Sequence, residues 1–415
     1  MLDDNNLRMK IGILAYHSAC NFGATLQLLS TYSYLKNNGH DPLVINWVPE
    51  DLEDFYRKPT PEAQYQMQKE LRLRIWKETE LCRNSEDVAH VIEKNGIQAV
   101  IVGSDAVAQH HAFPENIVFP TRKFISIRKY TQDRLYPNPF WAEFEKYLQN
   151  PIPVAYLSAS SQDSVFKNYS KRLRSEMAES LSLYSWISVR DSWTQEMFRY
   201  ITNGKIIPPV TPDPVFAFNY NAGSLLPSEK EVHEKFGLPD KYYLFSFERK
   251  RGLTQNWIEK FVKEANKREI ECVGLPFSIG ATDGKFPIMI DFPLTPLEWY
   301  AIIKYSCGYI GNNMHPIVVS LHNANPFFSF DNYGSSKFKK LITSDKSSKI
   351  KHILGVSGFD DYRESCLPRN YQLPSPLSII EKLDNFDRAK AKSFSDRYYN
   401  AYKTNMINIL KSFER

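Results

Sequence analysis

Gly308 to Phe330, GYIGNNMHPIVVSLHNANPFFSF, leaves this chain few folds to choose from. Tyr309 and Ile310 close a short apolar run, and Gly311-Asn312-Asn313 are turn formers. Val318, Val319 and Leu321 then lie on the helix, and Phe327 to Phe330 begin another strand. Strand, tight turn, helix and strand in so short a stretch make one βαβ step, which implies a parallel sheet covered by helices. His315 falls in the first helical turn, where Pro316 loses no hydrogen bond. In an open parallel sheet the strand ends and helix starts form the ligand crevice. This turn therefore reads either as an anion site with a titratable group beside it or as an ordinary capped helix start.

The same alternation runs through the chain. Apolar strand runs lie at Lys10 to Tyr16, Pro42 to Val48, Ala99 to Val102, Pro153 to Ser158 and Trp186 to Val189, and again at Tyr242 to Phe247, Ile270 to Leu275 and Gly308 to Ile310. At 415 residues the chain exceeds what one core usually holds. We expect an α/β protein of two domains, 1–218 and 219–375, with helices over 376–415 packing on them. Pro212-Asp213-Pro214-Val215-Phe216 reads as the hinge, followed by a linker near Asn219 to Pro227. Two helical stretches, Lys69 to Glu80 and Ser85 to Lys94, fill a charged insertion with no nameable chemistry. A longer helix spans Val165 to Leu183, and Phe113 to Asn150 is an aromatic and basic excursion suited to an acceptor surface.

Composition removes several classes. A net charge of +5 with no dense Lys/Arg block argues against nucleic acid. Five scattered cysteines without a CxxC pair form neither a disulfide framework nor a zinc knuckle, which fits a reducing cytoplasm. MLDDNNLRMK has no signal-peptide core, and no apolar run approaches the ~18 residues of a membrane span.

Candidate chemistry gathers at strand ends. The loop after the first strand carries Asn21, Gly23 and Gln27 but neither GxGxxG nor GxxxxGK[ST], so dinucleotide and P-loop readings are weak. Ser104-Asp105 follows the third strand, where Asp105 is either a base toward a hydroxyl or a helix cap. Arg190 ends a buried strand, which calls for a ligand anion or a neighbouring carboxylate. The cations of Arg249 to Arg251 make either an anion clamp or a solvated turn.

Taken in order, KIGILAYHSACNFGATLQ, IVGSD, ISVRD, TPDPVF and GNNMHPIVVSLHNANPFF resemble the motifs of the polysaccharide pyruvyl transferase family, and SSKFKKL resembles a basic segment that follows them there. Two departures stand out: Ala106-Val107-Ala108 where the family often has Gln-Val-Trp, and Asn313 where Arg or Ser is common. The resemblance implies two Rossmann-like domains facing a cleft, as in GT-B glycosyltransferases, with the acceptor on the N-terminal side and the donor on the C-terminal side. It implies transfer of pyruvate from phosphoenolpyruvate to a sugar of a bacterial surface polysaccharide, such as capsule, or of its lipid-linked precursor, giving a cyclic ketal and phosphate. His315 would protonate the enol carbon and Asp105 would assist the sugar hydroxyl. Arg190, Arg249, Arg251, Lys337, Asn312 and Asn313 would hold the anionic donor, with Asn21, Gly23, Gln27 and Ser104 also at the substrates. No metal and no cofactor beyond the donor is expected, nor any nucleic acid; the location is the cytoplasm, with peripheral contact at the inner membrane face. A nucleotide-sugar glycosyltransferase of the same architecture and a non-catalytic carbohydrate-binding relative, suggested by the missing Gln-Val-Trp, are the alternatives.

Overall fold

The computed structural model describes residues 8–112, 117–121, 124–127, 129–248, 253–337, 342–368 and 370–414, the side chains of 117–126, 335–337 and 342 excepted. The chain begins β1 (Lys10–Leu14), α1 (Phe22–Asn37), β2 (Asp41–Val44), α2 (Glu50–Arg57), α3 (Glu62–Ile75), α4 (Ser85–Asn95) and β3 (Ala99–Asp105). A hairpin of β4 (Ile117–Thr121) and β5 (Phe124–Ile127) precedes β6 (Val154–Ala159), α5 (Lys171–Ser182), β7 (Tyr184–Val189) and α6 (Ser192–Ile201). The second series runs α7 (Phe218–Asn221), α8 (Glu229–Phe236), β8 (Tyr242–Ser246), α9 (Gln255–Asn266), β9 (Glu271–Gly274), β10 (Ile288–Met289), α10 (Pro296–Tyr305), β11 (Gly308–Gly311), α11 (Met314–His322) and β12 (Phe327–Asp331). After a hairpin of β13 (Ser335–Lys337) and β14 (Ile342–Ser344) come α12 (Lys349–Ser357), β15 (Arg363–Ser365), α13 (Pro376–Asp384) and α14 (Arg388–Phe413).

The central strands are apolar on both faces because helices cover both. Every residue of β3, AVIVGSD, and of β6, VAYLSA, is buried. They belong to a parallel sheet in the order β2-β1-β3-β6-β7, and the second series forms another in the order β10-β9-β8-β11-β12-β15. The molecule is thus an α/β protein of two Rossmann-like units. In each sheet the chain winds outward in one direction and then reverses, between β1 and β3 in the first and between β8 and β11 in the second. Crevices open at such reversals.

Several expectations change at this level. The helix expected from Val165 starts only at Lys171, because the Ser170 hydroxyl accepts from the Leu173 N–H and caps it there. The insertion holds α2 and α3 rather than a helix over Lys69 to Glu80; α3 ends where the chain turns extended at the buried Trp76. The short edge strand β15 was not anticipated. The segment read as a hinge is interior: Val215, Phe216, Ala217 and Phe218 are fully buried, and the Pro214 carbonyl accepts from the Ser30 hydroxyl at 2.8 Å.

Two further ties join the units. The side chain of Gln64 on α3 donates to the Leu294 carbonyl at 2.9 Å and accepts from its N–H at 2.8 Å. Helix α14 crosses back to the first sheet, where Asn405 accepts from the Trp186 indole at 3.0 Å, while its Ser395 meets His322 of α11 at 2.8 Å. Of Phe394, Tyr398, Tyr402 and Met406, which recur at a spacing of four, Tyr398 is half-buried and the other three are buried. Among the described residues no helix is long and apolar enough to cross a membrane. Tyr402 packs edge-on against Tyr34 of α1 with ring centroids 5.7 Å apart. Tyr402→Ala should therefore cost about 3 kcal/mol, read as a lowered urea midpoint; a loss under about 1 kcal/mol would mean that α14 is peripheral.

Candidate active site

The two reversal points face each other across a cleft of about 450 Å³. From the first unit Asn21, Tyr56, Asp105 and Arg134 reach it; from the second come Asn313, His315 and Lys349. His315 lies in the opening turn of α11, with its imidazole against the start of α1. A Cβ added to Gly23 would fall 2.1 Å from His315 Nδ1, so only glycine leaves room for the ring. His315 Nε2 is buried without a hydrogen-bond partner among the described residues, 4.0 Å from Asp213 Oδ2.

Asp213 anchors a chain of charges beneath this histidine. Its Oδ2 accepts from Gln27 at 2.6 Å and from Arg190 Nη1 at 2.8 Å, and its Oδ1 accepts from the Val215 N–H at 3.0 Å. Arg190 Nη2 donates to Asp105 Oδ1 at 3.2 Å, and Lys349 Nζ stands 3.7 Å from the same oxygen. Asp105 adopts φ +78°, a conformation costly for a residue with a side chain and characteristic of functional turns.

These neighbours set the proton affinities. Burial lowers His315 below the ordinary histidine value, outweighing the upward pull of Asp213 and then Asp105. Burial alone would raise the Asp105 carboxyl, yet Lys349, then Arg190 and His315, hold it well below the usual carboxylate range. Burial and then Arg190 lower the Lys349 ammonium against the opposing pull of Asp105. Near neutrality the site therefore presents an ionised Asp105 of low basicity and a histidine whose charge depends on what binds beside it.

The expected residues divide into those at the cleft and those that support it. Asp105, His315 and Asn313 line it; Asn313 precedes α11 without capping it through its side chain. Asn21 also lines it, but its side-chain oxygen caps α1 by accepting from the Ala24 N–H. Gln27 is buried and committed to Asp213. Arg190, expected to meet a ligand anion, is paired with two carboxylates of the protein through Nη1 and Nη2, while its Nε has no partner among the described residues. Ser104 points inward, accepting from the Asp105 N–H at 2.7 Å. Asn312 ties β11 to the end of β8, accepting from the Glu248 N–H at 3.0 Å and donating to its carbonyl at 2.5 Å. Arg249, Arg251 and the Lys337 side chain lie outside the described residues.

Sequence reasoning missed the cations that do face the cleft. Lys349 opens α12 and is brought in by the turn after β14; nothing in KSSKIKH distinguishes it from a surface lysine. Arg134 comes from the long excursion, stacked on Phe55 at 4.9 Å and beside Asp133 at 3.7 Å. Asp213 was in view within TPDPVF, and an acid held between two prolines was the available signal.

The sequence model of the family described as Polysaccharide pyruvyl transferase matches residues 21–334. No curated protein matches the sequence. Among solved structures the UDP-GlcNAc 2-epimerase of Neisseria meningitidis is similar, with 11% identity, 97% of this chain and 100% of that one covered, and a TM-score of 0.52. The corresponding protein of Rickettsia bellii has 10% identity, coverage of 98% and 96%, and a TM-score of 0.51. That of Methanocaldococcus jannaschii has 9% identity, coverage of 93% and 98%, and a TM-score of 0.50. At such identities the likeness concerns the fold alone, two α/β units of GT-B type.

The charge chain makes one direct prediction. Asp213→Asn removes the carboxylate that most raises His315, so the imidazole should titrate at lower pH than in the wild type when followed by NMR of its ring signals. An unchanged or higher titration point would mean that Asp213 does not act on it.

Proposed function

The chain belongs to the polysaccharide pyruvyl transferase family, and from that premise we propose that it transfers pyruvate from phosphoenolpyruvate to two hydroxyls of a sugar. The sugar would belong to a surface polysaccharide or to its lipid-linked precursor, met at the inner face of a bacterial membrane. The observation that best supports the reading is that His315, at a helix start, lines the cleft together with Lys349 and Arg134, while its buried Nε2 has no hydrogen-bond partner among the described residues and stands 4.0 Å from Asp213. Phosphoenolpyruvate is a small polyanion with a phosphate and a carboxylate. Lys349, Arg134 and the N–H groups that open α11 are the donors suited to it.

Protonation at C3 makes C2 electrophilic. A dianion beside His315 would raise its proton affinity, so donor binding itself would charge the acid that the reaction needs. The first sugar hydroxyl then adds to C2 and returns its proton to His315. Phosphate leaves as the second hydroxyl closes the ketal, carrying away that second proton. One hydroxyl proton thus ends in the new methyl group and the other on phosphate. In this scheme Asp105 is a fixed anion that holds Lys349 and Arg190 in place and favours the imidazolium, not the base, because its proton affinity is too low to take a hydroxyl proton.

Phosphate release from phosphoenolpyruvate with a panel of galactosides, glucosides and mannosides, followed by mass spectrometry for the ketal, tests the reaction. Acceptor-dependent release is expected; binding of a nucleotide sugar without release would support the glycosyltransferase reading instead. His315→Gln should lower kcat by about 10²–10⁴-fold. For the wild type, kcat/KM should fall as pH rises through the depressed pKa of free His315, and the corresponding limb of kcat should lie at higher pH, because the bound dianion raises the group. Gly23→Ala, which forces the imidazole aside, should cost about 10²-fold in kcat and, as an overpacked buried contact, about 1–3 kcal/mol of stability. Near-wild-type turnover would remove His315 from the chemistry.

A further inference from the structure

The cleft is graded along its length, and the strand orders set the direction. In the first unit α2 follows β2, at one edge of the sheet, whereas Asp105 and Gln162 follow β3 and β6 on the other side of β1. In the second unit the loop 277–281 follows β9, whereas Tyr333 follows β12 on the far side of β8 and β11. The loop after β9 meets the first unit beside α1, where the Ser278 hydroxyl donates to the Cys20 carbonyl. His315, after β11, stands between the two ends, against Gly23. One end of the cleft therefore holds Asp105, Gln162, Tyr333 and Lys349, and the other is lined by Phe55, Tyr56, Phe277 and Ile279.

Apolar side chains exposed singly carry no message, but these come from both units and line one cleft. Phe55 is 48% exposed and Ile279 37%. Both are nevertheless held. The Arg134 guanidinium lies over the Phe55 ring at 4.9 Å, and the Tyr56 ring stands perpendicular to it with centroids 5.3 Å apart. Arg134 is in turn 3.7 Å from the fully buried Asp133. Ile279 rides on a turn closed by bonds in both directions between Phe277 and Gly280, at 2.8 and 3.2 Å. An apolar surface ordered in advance loses little freedom when a ligand covers it. A pyranose ring presents a hydroxyl-poor face of C–H groups suited to such a surface, whereas a small anion has no such face and needs the charged end.

We propose that Phe55 and Ile279 are acceptor-recognition residues, holding the C–H face of the acceptor's pyranose ring at the α2 end while phosphoenolpyruvate lies at the Lys349 end. The two substrates then approach His315 along the cleft from opposite ends, and each is touched by both units. Helix α2, part of an insertion without a motif, becomes the element that sets which sugar is taken. The inference rests on the pyruvyl transfer reading for the place of the donor, but not for the stacking of a sugar at Phe55.

Wild type, Phe55→Ala, Phe55→Trp and Ile279→Ser are compared by saturation-transfer NMR titration with methyl hexosides and N-acetylhexosaminides, an open-chain hexitol and octyl glucoside. Phosphate release from phosphoenolpyruvate with the same acceptors is the second readout. Both positions are partly exposed, so unfolding midpoints should stay near the wild-type value. At least one methyl glycoside should bind, and the hexitol, which has no ring face, should bind at least about tenfold more weakly. Phe55→Ala and Ile279→Ser should each weaken the glycoside by about three- to tenfold, the worth of one stacking contact, and Phe55→Trp should keep or tighten it. Ile279→Ser should raise the acceptor KM by the same factor and leave calorimetric affinity for phosphoenolpyruvate unchanged. Glycoside binding that follows the variants, with no phosphate release from any acceptor, would retain the stacking site and reject the reaction. Turnover with an acceptor KM unchanged in both Phe55→Ala and Ile279→Ser would overturn the inference and leave the reaction standing. No glycoside binding, hexitol binding as tight as the glycoside, or a loss confined to octyl glucoside would also overturn it, the last by giving the surface to an apolar chain.

Discussion

Arg190 lies in the seam between the two units with a carboxylate on either side. It is 6% exposed, and a guanidinium so placed is tolerable only when paired. Removing one partner from such a buried pair typically costs about 3–5 kcal/mol. Asp213 and Asp105 are therefore held in place by the need to neutralise Arg190, and their positions fix the rest. Asp213 draws Gln27 of α1 inward and stands below His315. Asp105 draws Lys349 across from the second unit. The charge at the end of β7 that reads in the sequence as a substrate ligand is paired with two carboxylates of the protein, and these in turn stand beside the groups that line the cleft.

The two sheets supply the complementary half of the arrangement. Each reverses its winding once, and the residues at both reversals are those that no strand pairing can use. The chain has concentrated asparagine, glycine, aspartate and histidine there. His315 is brought against Gly23 by the approach of one helix start to another, a contact that a single added methyl group would prevent. The same closeness gives the imidazole its burial and hence its low proton affinity, which ties the packing of the interface directly to the chemistry of the site.

How much of this was legible beforehand follows from the range of each interaction. Strand and helix runs depend on local periodicity, and β3, β8 and α4 fall close to where the apolar pattern puts them. The placement of His315 in a first helical turn and of Asp105 at a strand end is equally local. Lys349 and Arg134 were not legible, because the turn after β14 and the long excursion that carry them to the cleft are set by tertiary packing. Arg190 was assigned to a ligand because sequence shows that a buried arginine needs an anion but not which one. Asp213 was mistaken for part of a hinge for a related reason: proline-flanked segments look like connectors unless their burial is known. The insertion holding α2 and α3 gave no chemical signal, since the charged residues that fill it carry no motif.

The central claim is that Lys349, held by Asp105 across the seam, faces the cleft as an anchor for the anionic donor. Calorimetric titration of phosphoenolpyruvate into wild type and Lys349→Met tests it without reference to any acceptor. The account predicts saturable binding that weakens by about tenfold or more in the variant, the worth of one charge-assisted contact. Equal affinity in the two proteins, or no binding to the wild type, would contradict it.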